Sequence, residues 1–306
     1  MTDSGAGVVH ETGGGVYSVV LEDGVRVEAS LRGRLKQERR TGSRVVIGDR
    51  VRVSASGAAW TIDSVEERTM ELVRRGRGGR RPKILAANLD RVFTIVALRE
   101  PPTSTQLIDR MLVLIESSGV HPLLVLNKVD LEGAADAAAA FARIYEAIGY
   151  QVFTTSASDG QGLQILHEEI CSGSSAFIGP SGVGKSSLLN AIDPALALRT
   201  AEVSRKTGTG RHTTVGSRLI TMECGGLVAD TPGFGDVGLW SVRPEAIAEC
   251  FPEFVEYEGA CHFRACTHIH EPKCAVRSAL QSGDIVESRH ASYVTLRLEA
   301  EEAAAR

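Results

Sequence analysis

The sequence has no stretch approaching the ~20 consecutive apolar residues that a membrane-spanning helix needs, so a membrane is not an expected partner. Its opening, MTDSGAGVVHETGGG, carries neither the basic start nor the apolar run of a secretory signal, and the cytoplasm is the expected compartment. Positive charge is not in surplus: 34 Lys and Arg stand against 38 Asp and Glu, a formal net charge of −4. That balance carries no global signature of nucleic-acid binding. Cysteine is scarce, six in 306 residues, and not spread as a disulfide framework would be. Cys171, Cys224 and Cys250 are scattered, have no visible catalytic partner, and read as small core or surface residues.

What is present is ordinary globular material, 43% hydrophobic and 24% charged. The length suits about two or three domains. Charge is unevenly distributed. Between Leu72 and Lys83 lie Arg74, Arg75, Arg77, Arg80, Arg81 and Lys83 with no acid among them. A second basic run covers Arg32 to Arg44, interrupted only by Glu38. Such a run is usually a solvated linker or face, and composition alone favours that reading; two runs in one N-terminal third weaken it without removing it.

Four domains or segments are expected. Residues 1–70 contain short β-branched runs (Gly15–Leu21, Val25–Ala29, Ser43–Ile47, Arg50–Val53) at the spacing of a small barrel of OB type. Residues 71–83 form a basic linker. Residues 84–243 alternate apolar strands with amphipathic helices: strands at Arg91–Leu98, Pro122–Leu126, Gln151–Thr155 and Ser174–Ile178, helices at Gln106–Ser117, Ala134–Ile148 and Gly162–Cys171. Such alternation predicts a parallel sheet with helices on both faces. Residues 244–306 form a C-terminal module.

Gly179-Pro180-Ser181-Gly182-Val183-Gly184-Lys185-Ser186 matches the phosphate-loop pattern between a predicted strand and a helix that takes in Ser187. Glycines there let backbone N–H groups converge on phosphate oxygens at a helix N-terminus. Lys185 is expected to reach the β- and γ-phosphates, and the Ser186 hydroxyl to ligate Mg²⁺. Asn127-Lys128-Val129-Asp130 follows a buried strand. Asp130 can accept two hydrogen bonds from guanine that adenine cannot donate, with Asn127 facing the base edge and the Lys128 stem covering the ring. Ser156-Ala157 suits the loop behind the base. Asp230-Thr-Pro-Gly233 would hold Mg²⁺ through water at Asp230 and sense the γ-phosphate at the Gly233 N–H. Each short motif alone is compatible with an ordinary strand-ending turn; in one α/β domain they specify GTP, GDP and Mg²⁺.

Their order is unusual. The base motif precedes the phosphate loop, which precedes Asp230–Gly233, so the domain reads as circularly permuted. Between the last two, Gly208–Thr214 suits a mobile switch, with Thr213 or Thr214 as the Mg²⁺ ligand. Phe234 stands where many GTPases carry a water-positioning Gln. Either His212 or a group from outside the chain must serve instead. Because the sensors directly precede the C-terminal module, nucleotide exchange is expected to re-aim residues 244–306. In that module Cys261, Cys266, His268 and Cys274 form a Cys₃His set for one closed structural zinc site, with His262 and His270 as competing ligands.

The ensemble resembles the ribosome small-subunit-dependent GTPase A family across nearly the whole chain. Carrying the resemblance are Val46–Val51, Ala86–Asp90, Leu107–Arg110, Leu124–Asp130, Gly179–Ser187, Gly210–Thr214, Asp230–Phe234 and Cys261–Val276. Val215 departs from the threonine run common in the family. The resemblance implies a circularly permuted GTPase with an N-terminal OB-type barrel and a zinc-binding, mostly helical C-terminal module. It further implies a role in late maturation of the small ribosomal subunit, with rRNA contact and hydrolysis stimulated by that particle. A monomer is expected. The competing reading is a signalling or transport GTPase with protein partners, its zinc module purely structural. A P-loop ATPase or kinase is opposed by Asn127–Asp130.

Overall fold

Alternating apolar and polar side chains close the N-terminal third into a barrel. The computed structural model describes residues 4–33, 35, 45–74, 83–196, 217–230 and 242–305. Strands β1 (Ser4–Gly13), β2 (Val16–Leu21), β3 (Arg26–Leu31), β4 (Arg50–Ser56) and β5 (Ala59–Val65) run in the order β1-β2-β3-β5-β4, and β4 returns to β1. Only β3 and β5 pair in parallel. Val9, Tyr17, Val19, Val27, Val53 and Ile62 fill the interior. This is the expected OB-type barrel, with differences in its parts. The Ser43–Ile47 run is not a strand over its described residues: Ile47 makes one bridge to Ala86, while the Val46 N–H donates to Asp49 Oδ2 at 2.8 Å. β1 escaped the pattern because glycines interrupt it. A Cβ on Gly7 would stand 2.6 Å from the Val20 carbonyl oxygen, so side-chain signal is missing where the strands approach most closely.

A short sheet of β6 (Glu71–Arg74) and β7 (Lys83–Ala87) joins the barrel to the next domain. Residues 75–82 of the expected linker lie outside the described residues. The joint is polar and buried: Asp49, fully enclosed, takes the Arg68 guanidinium through both oxygens at 2.7 and 2.9 Å. Burial opposes the charge on Arg68, but bonds from Asp49 and Glu71 outweigh it and hold its pKa above the ordinary value.

The second domain is a sheet ordered β10-β9-β8-β11-β13-β12, built from β8 (Arg91–Ala97), β9 (Pro122–Asn127), β10 (Val152–Thr155), β11 (Ser174–Ile178), β12 (Arg218–Thr221) and β13 (Leu227–Asp230). All pairs are parallel except β12–β13, and β12 meets β1 at Glu11–Arg218, making the sheet continuous with the barrel. Helices α1 (Thr105–Glu116) and α2 (Ala134–Ala147) cover one face; α3 (Leu163–Cys171) and α4 (Lys185–Ile192) cover the other. Strand alternation assigns the faces: Leu124 and Leu126 go to one core, Leu123 and Val125 to the other. Ser104 caps α1 by accepting the Leu107 N–H at 3.3 Å.

Two 3₁₀ segments (Pro244–Cys250, Pro252–Tyr257) and helices α5 (Ala275–Ser282) and α6 (Glu287–Ala304) make the C-terminal module, mostly helical as expected. It is not a free arm. Arg289 of α6, 1% exposed, bonds Asp109 of α1 at 2.5 Å and Glu253 through both oxygens at 2.7 and 3.0 Å. Tyr145 of α2 donates to the same Asp109 oxygen at 2.6 Å, and the Phe251 ring lies 4.5 Å from the guanidinium. Val113 of α1 packs into the module's own core. Re-aiming residues 244–306 would require opening this buried node.

One cysteine expectation is corrected: Cys171 and Cys224 are bonded to each other, not independent small residues. Parallel pairing of β11 with β13 brings the end of α3 beside the β12–β13 turn, across a separation of 53 residues that periodicity does not reveal. Cys250 is free and buried. Among the described residues no helix is long and apolar enough to cross a membrane.

Because Asp109 neutralises a buried cation, Asp109→Ala should cost about 3 kcal/mol, towards the lower end for a broken buried pair because Glu253 stays. Replacing Arg289 by Met in the same chain should recover part of that loss. Denaturant titration of the two variants checks both expectations.

Candidate functional site

The strand order reverses beside β8. The chain builds outward from β8 through β9 to β10, then returns to β8's other side as β11. In open parallel sheets the crevice at such a reversal, outside the carboxyl ends of the strands, is where ligands bind. The predicted motifs collect along this edge: residues 179–186 after β11, 127–130 at the end of β9, Ser156 and Ala157 after β10, and Asp230 at the end of β13.

The glycine loop runs close to its neighbours. Gly179 has φ 151°, and a Cβ there would stand 2.0 Å from the Ile95 carbonyl oxygen of β8. Gly184 has φ 94°, and a Cβ would stand 2.4 Å from Asn127 Nδ2. Val183 is buried against β8 and α4, whereas Ser181 and Gly182 are exposed at the rim and Pro180, Ser186 and Ser187 are partly open. Lys185 Nζ donates to the Gly179 and Pro180 carbonyls, both at 2.7 Å. Burial pushes its pKa below the ordinary lysine value. A polyphosphate arriving over the loop would supply the missing counter-charge.

Asn127 is 3% exposed and spans the crevice floor. Its Nδ2 donates to the Val183 carbonyl at 2.8 Å, and its Oδ1 accepts from Thr155 Oγ1 at 3.2 Å. Both ends of the amide thereby tie the glycine loop to β9 and β10, and the second Nδ2 hydrogen is not used by either bond. Lys128, at φ 66°, runs its stem past Gly184 and donates to the Glu100 carbonyl. Val129 is buried, its N–H bonding the Thr155 carbonyl at 3.3 Å, while Asp130 is exposed beyond it. Ser156 is buried, and its hydroxyl accepts the Ser158 and Asp159 N–H groups at 3.2 and 3.3 Å, which tightens the loop behind the crevice. Ala157 packs against the core below.

His212, Thr213, Thr214, Gly233 and Phe234 lie outside the described residues, and of Asp230 the backbone alone is described. Sequence reasoning missed the structural use of motifs it had noted. Asp49 and Asn88 lock the barrel joint, Asn88 donating to the Gly48 carbonyl at 3.0 Å, and Asp109 receives Arg289. An acid inside an otherwise apolar helix face was the one sequence signal by which Asp109 could have been found.

In the C-terminal module Cys261, Cys266, His268 and Cys274 present Sγ, Sγ, Nδ1 and Sγ within 4.8 Å of one another. Cys261 and Cys274 are 3.8 Å apart at sulfur, and His268 Nδ1 lies 3.5 and 3.3 Å from those two atoms. Tetrahedral Zn–S bonds of about 2.3 Å give sulfur–sulfur edges of about 3.8 Å, so the donors fit that ion. The Ala275 N–H points at Cys261 Sγ at 3.3 Å, and His290 Nε2 contacts the His268 carbonyl at 2.9 Å, holding the ligand loop. His262 and His270 are not among the four converging donors.

The approach of Gly184 to Asn127 makes a direct test. Gly184→Ala adds a Cβ at a positive φ and against a buried amide, costing more than about 1 kcal/mol locally. GTP binding should weaken at least about tenfold, while the metal content of the C-terminal module stays unchanged; fluorescent-nucleotide titration measures the first.

Residues 65–240 match the family model described as RsgA GTPase. The Small ribosomal subunit biogenesis GTPase RsgA of Gemmatimonas aurantiaca is 46% identical over 301 residues, covering 97% of this chain and 98% of that protein. That of Christiangramia forsetii is 34% identical, covering 97% and 96%. Among solved structures, YjeQ from Thermotoga maritima is 32% identical with a TM-score of 0.80, over 97% of this chain and 98% of that one. YloQ, described as a circularly permuted GTPase, is 31% identical with a TM-score of 0.76, over 98% and 96%. The chain belongs to the RsgA GTPase family and is, with it, a GTP hydrolase.

Proposed function

We propose that the chain uses GTP hydrolysis in late maturation of the small ribosomal subunit, binding rRNA and being stimulated by the particle. The observation that carries this reading is the crevice at the β8–β11 reversal, on which phosphate-loop, base and switch-strand motifs converge in permuted order. The relatives' names supply the ribosomal setting, and the two basic runs of the sequence, 32–44 and 74–83, supply charge suited to phosphate. Such a protein works in the cytoplasm, as a monomer, in four parts: barrel 1–70, basic linker 71–83, GTPase domain 84–243, and zinc module 244–306.

In this reading Asp130, exposed at the crevice rim, selects guanine, Asn127 faces the base edge with its second Nδ2 hydrogen while holding the glycine loop, and the Lys128 stem covers the ring. Ser156 and Ala157 form the loop behind the base. Backbone N–H groups of 179–187 and Lys185 take the phosphates. Ser186, Thr213 or Thr214, and Asp230 through water would hold Mg²⁺, which supplies charge neutralisation at the β- and γ-oxygens. Water adds to the γ-phosphorus as its bond to the bridging oxygen breaks, releasing GDP and phosphate. Gly233 senses the γ-phosphate, and His212 positions the water once the particle orders its loop. The four-donor cluster at Cys261, Cys266, His268 and Cys274 holds one structural zinc.

GTP turnover with and without purified small subunits tests the reading. Subunits should raise the rate of the native chain, His212→Ala should bind GTP but lose at least about tenfold of the stimulation, and Asp130→Asn should lose preference for GTP over xanthosine triphosphate. No response to subunits would refute the ribosomal role. Stimulation left intact in His212→Ala would assign the water-positioning group to the particle.

Zinc is checked separately. Protein purified without chelator should contain about one zinc per chain, and Cys266→Ala should lose it and melt earlier in its C-terminal part while keeping GTP affinity. Metal-free native protein would exclude the site.

A further inference from the structure

The Cys171–Cys224 bond has no part in the nucleotide or zinc chemistry, yet it is built into the edge of the GTPase sheet. Cys171 ends α3; Cys224 sits in the turn between β12 and β13, exposed to solvent. The two come together without help from the bond. A Cβ on Gly226 would stand 2.4 Å from the Ile170 carbonyl oxygen, the Leu227 N–H bonds the Gly173 carbonyl at 3.0 Å, and the Glu223 N–H bonds Asp193 Oδ2 at 2.9 Å. Opening the bond therefore leaves the thiols facing each other, ready to close again. His167, one turn before Cys171 on α3, has Nε2 3.3 Å from Cys171 Sγ.

The same three side chains bring their donor atoms within 4.8 Å, as the zinc-module ligands do. The difference is that these two sulfurs are joined, so neither is a thiolate available to a cation. The pair belongs to disulfide chemistry rather than to metal binding.

We propose that Cys171 and Cys224 form a reversible exchange site for low-molecular-weight thiols and their disulfides. Access decides the direction of attack. An incoming thiolate adds to the exposed Cys224 sulfur, the Cys171–Cys224 bond breaks, and Cys171 leaves as thiolate, taking a proton that His167 is placed to deliver. A second small thiolate attacks the mixed disulfide, frees Cys224 and departs as the oxidised small disulfide. In sum, two thiols reduce the protein bond and one small disulfide is formed; the reverse closes it. The setting also favours reversibility: if the chain acts on ribosomal subunits, as proposed above, it works where disulfides are transient and redox-sensing.

The test uses the full-length protein equilibrated with mixtures of reduced and oxidised glutathione, followed by differential alkylation and peptide mass analysis. Cys171 and Cys224 should pass together from free to bonded as the mixture becomes oxidising, independently of the zinc ligands. Cys171→Ser should trap a glutathione adduct on Cys224, and His167→Ala should slow opening without moving the equilibrium ratio. A pair that stays free, or stays bonded, across every mixture would overturn the exchange site, as would Cys171→Ser without an adduct. The mass measurements need no nucleotide, so failure of the GTPase reading would leave them interpretable.

Discussion

The nucleotide crevice depends on how closely the glycine loop can pass the ends of β8 and β9. At Gly179 the backbone runs under the Ile95 carbonyl, and at Gly184 it runs against the Asn127 amide, in both places nearer than any side chain allows. Asn127 converts that proximity into a bond by donating to the Val183 carbonyl while accepting from Thr155. One buried amide thereby sets the phosphate loop, the end of the base strand and the loop behind the base relative to one another. Asp130 stands beyond it, exposed at the rim.

Around that crevice the three structural parts are joined by buried ions rather than by apolar contact alone. Asp49 and Arg68 close the barrel joint; Asp109, Glu253 and Arg289 close the joint to the C-terminal module. Isolated buried charges carry a large desolvation cost, so each of these acids and cations is satisfied only in the assembled arrangement. Burial opposes the charge on Arg289, yet the bonds from Glu253 and the charge of Asp109 raise its pKa above the ordinary value, and it stays charged. Such joints specify orientation: a few ångströms of slip would leave an ion buried without its partner. The C-terminal module is thus carried on α1, the helix that follows β8, and its position is coupled to the strand at the centre of the crevice.

Much of this was legible in the sequence, because phosphate loops, base motifs and metal clusters are written as contiguous residues. The strand-to-helix placement of 179–186, the apolar strand before Asn127 and the Cys₃His spacing all follow from local pattern. The barrel was legible as a class but not in its first strand, where Gly5 and Gly7 remove the apolar alternation. The Ser43–Ile47 run carried strand-like residues, but Asp49 turns the Val46 N–H inward, and no ladder forms over Val45–Ile47.

The sequence by itself determined which side chains are candidates for phosphate, guanine, magnesium and zinc, and that their order is permuted. Those properties depend on residue type and short spacing, which survive without coordinates. Only the tertiary structure decided what depends on long-range neighbours. It made Asn127 a tie between loops, made Asp109 the counter-ion of a residue 180 positions away, and joined Cys171 to Cys224. Parallel pairing sets distant segments side by side, and no local periodicity encodes which ones will meet.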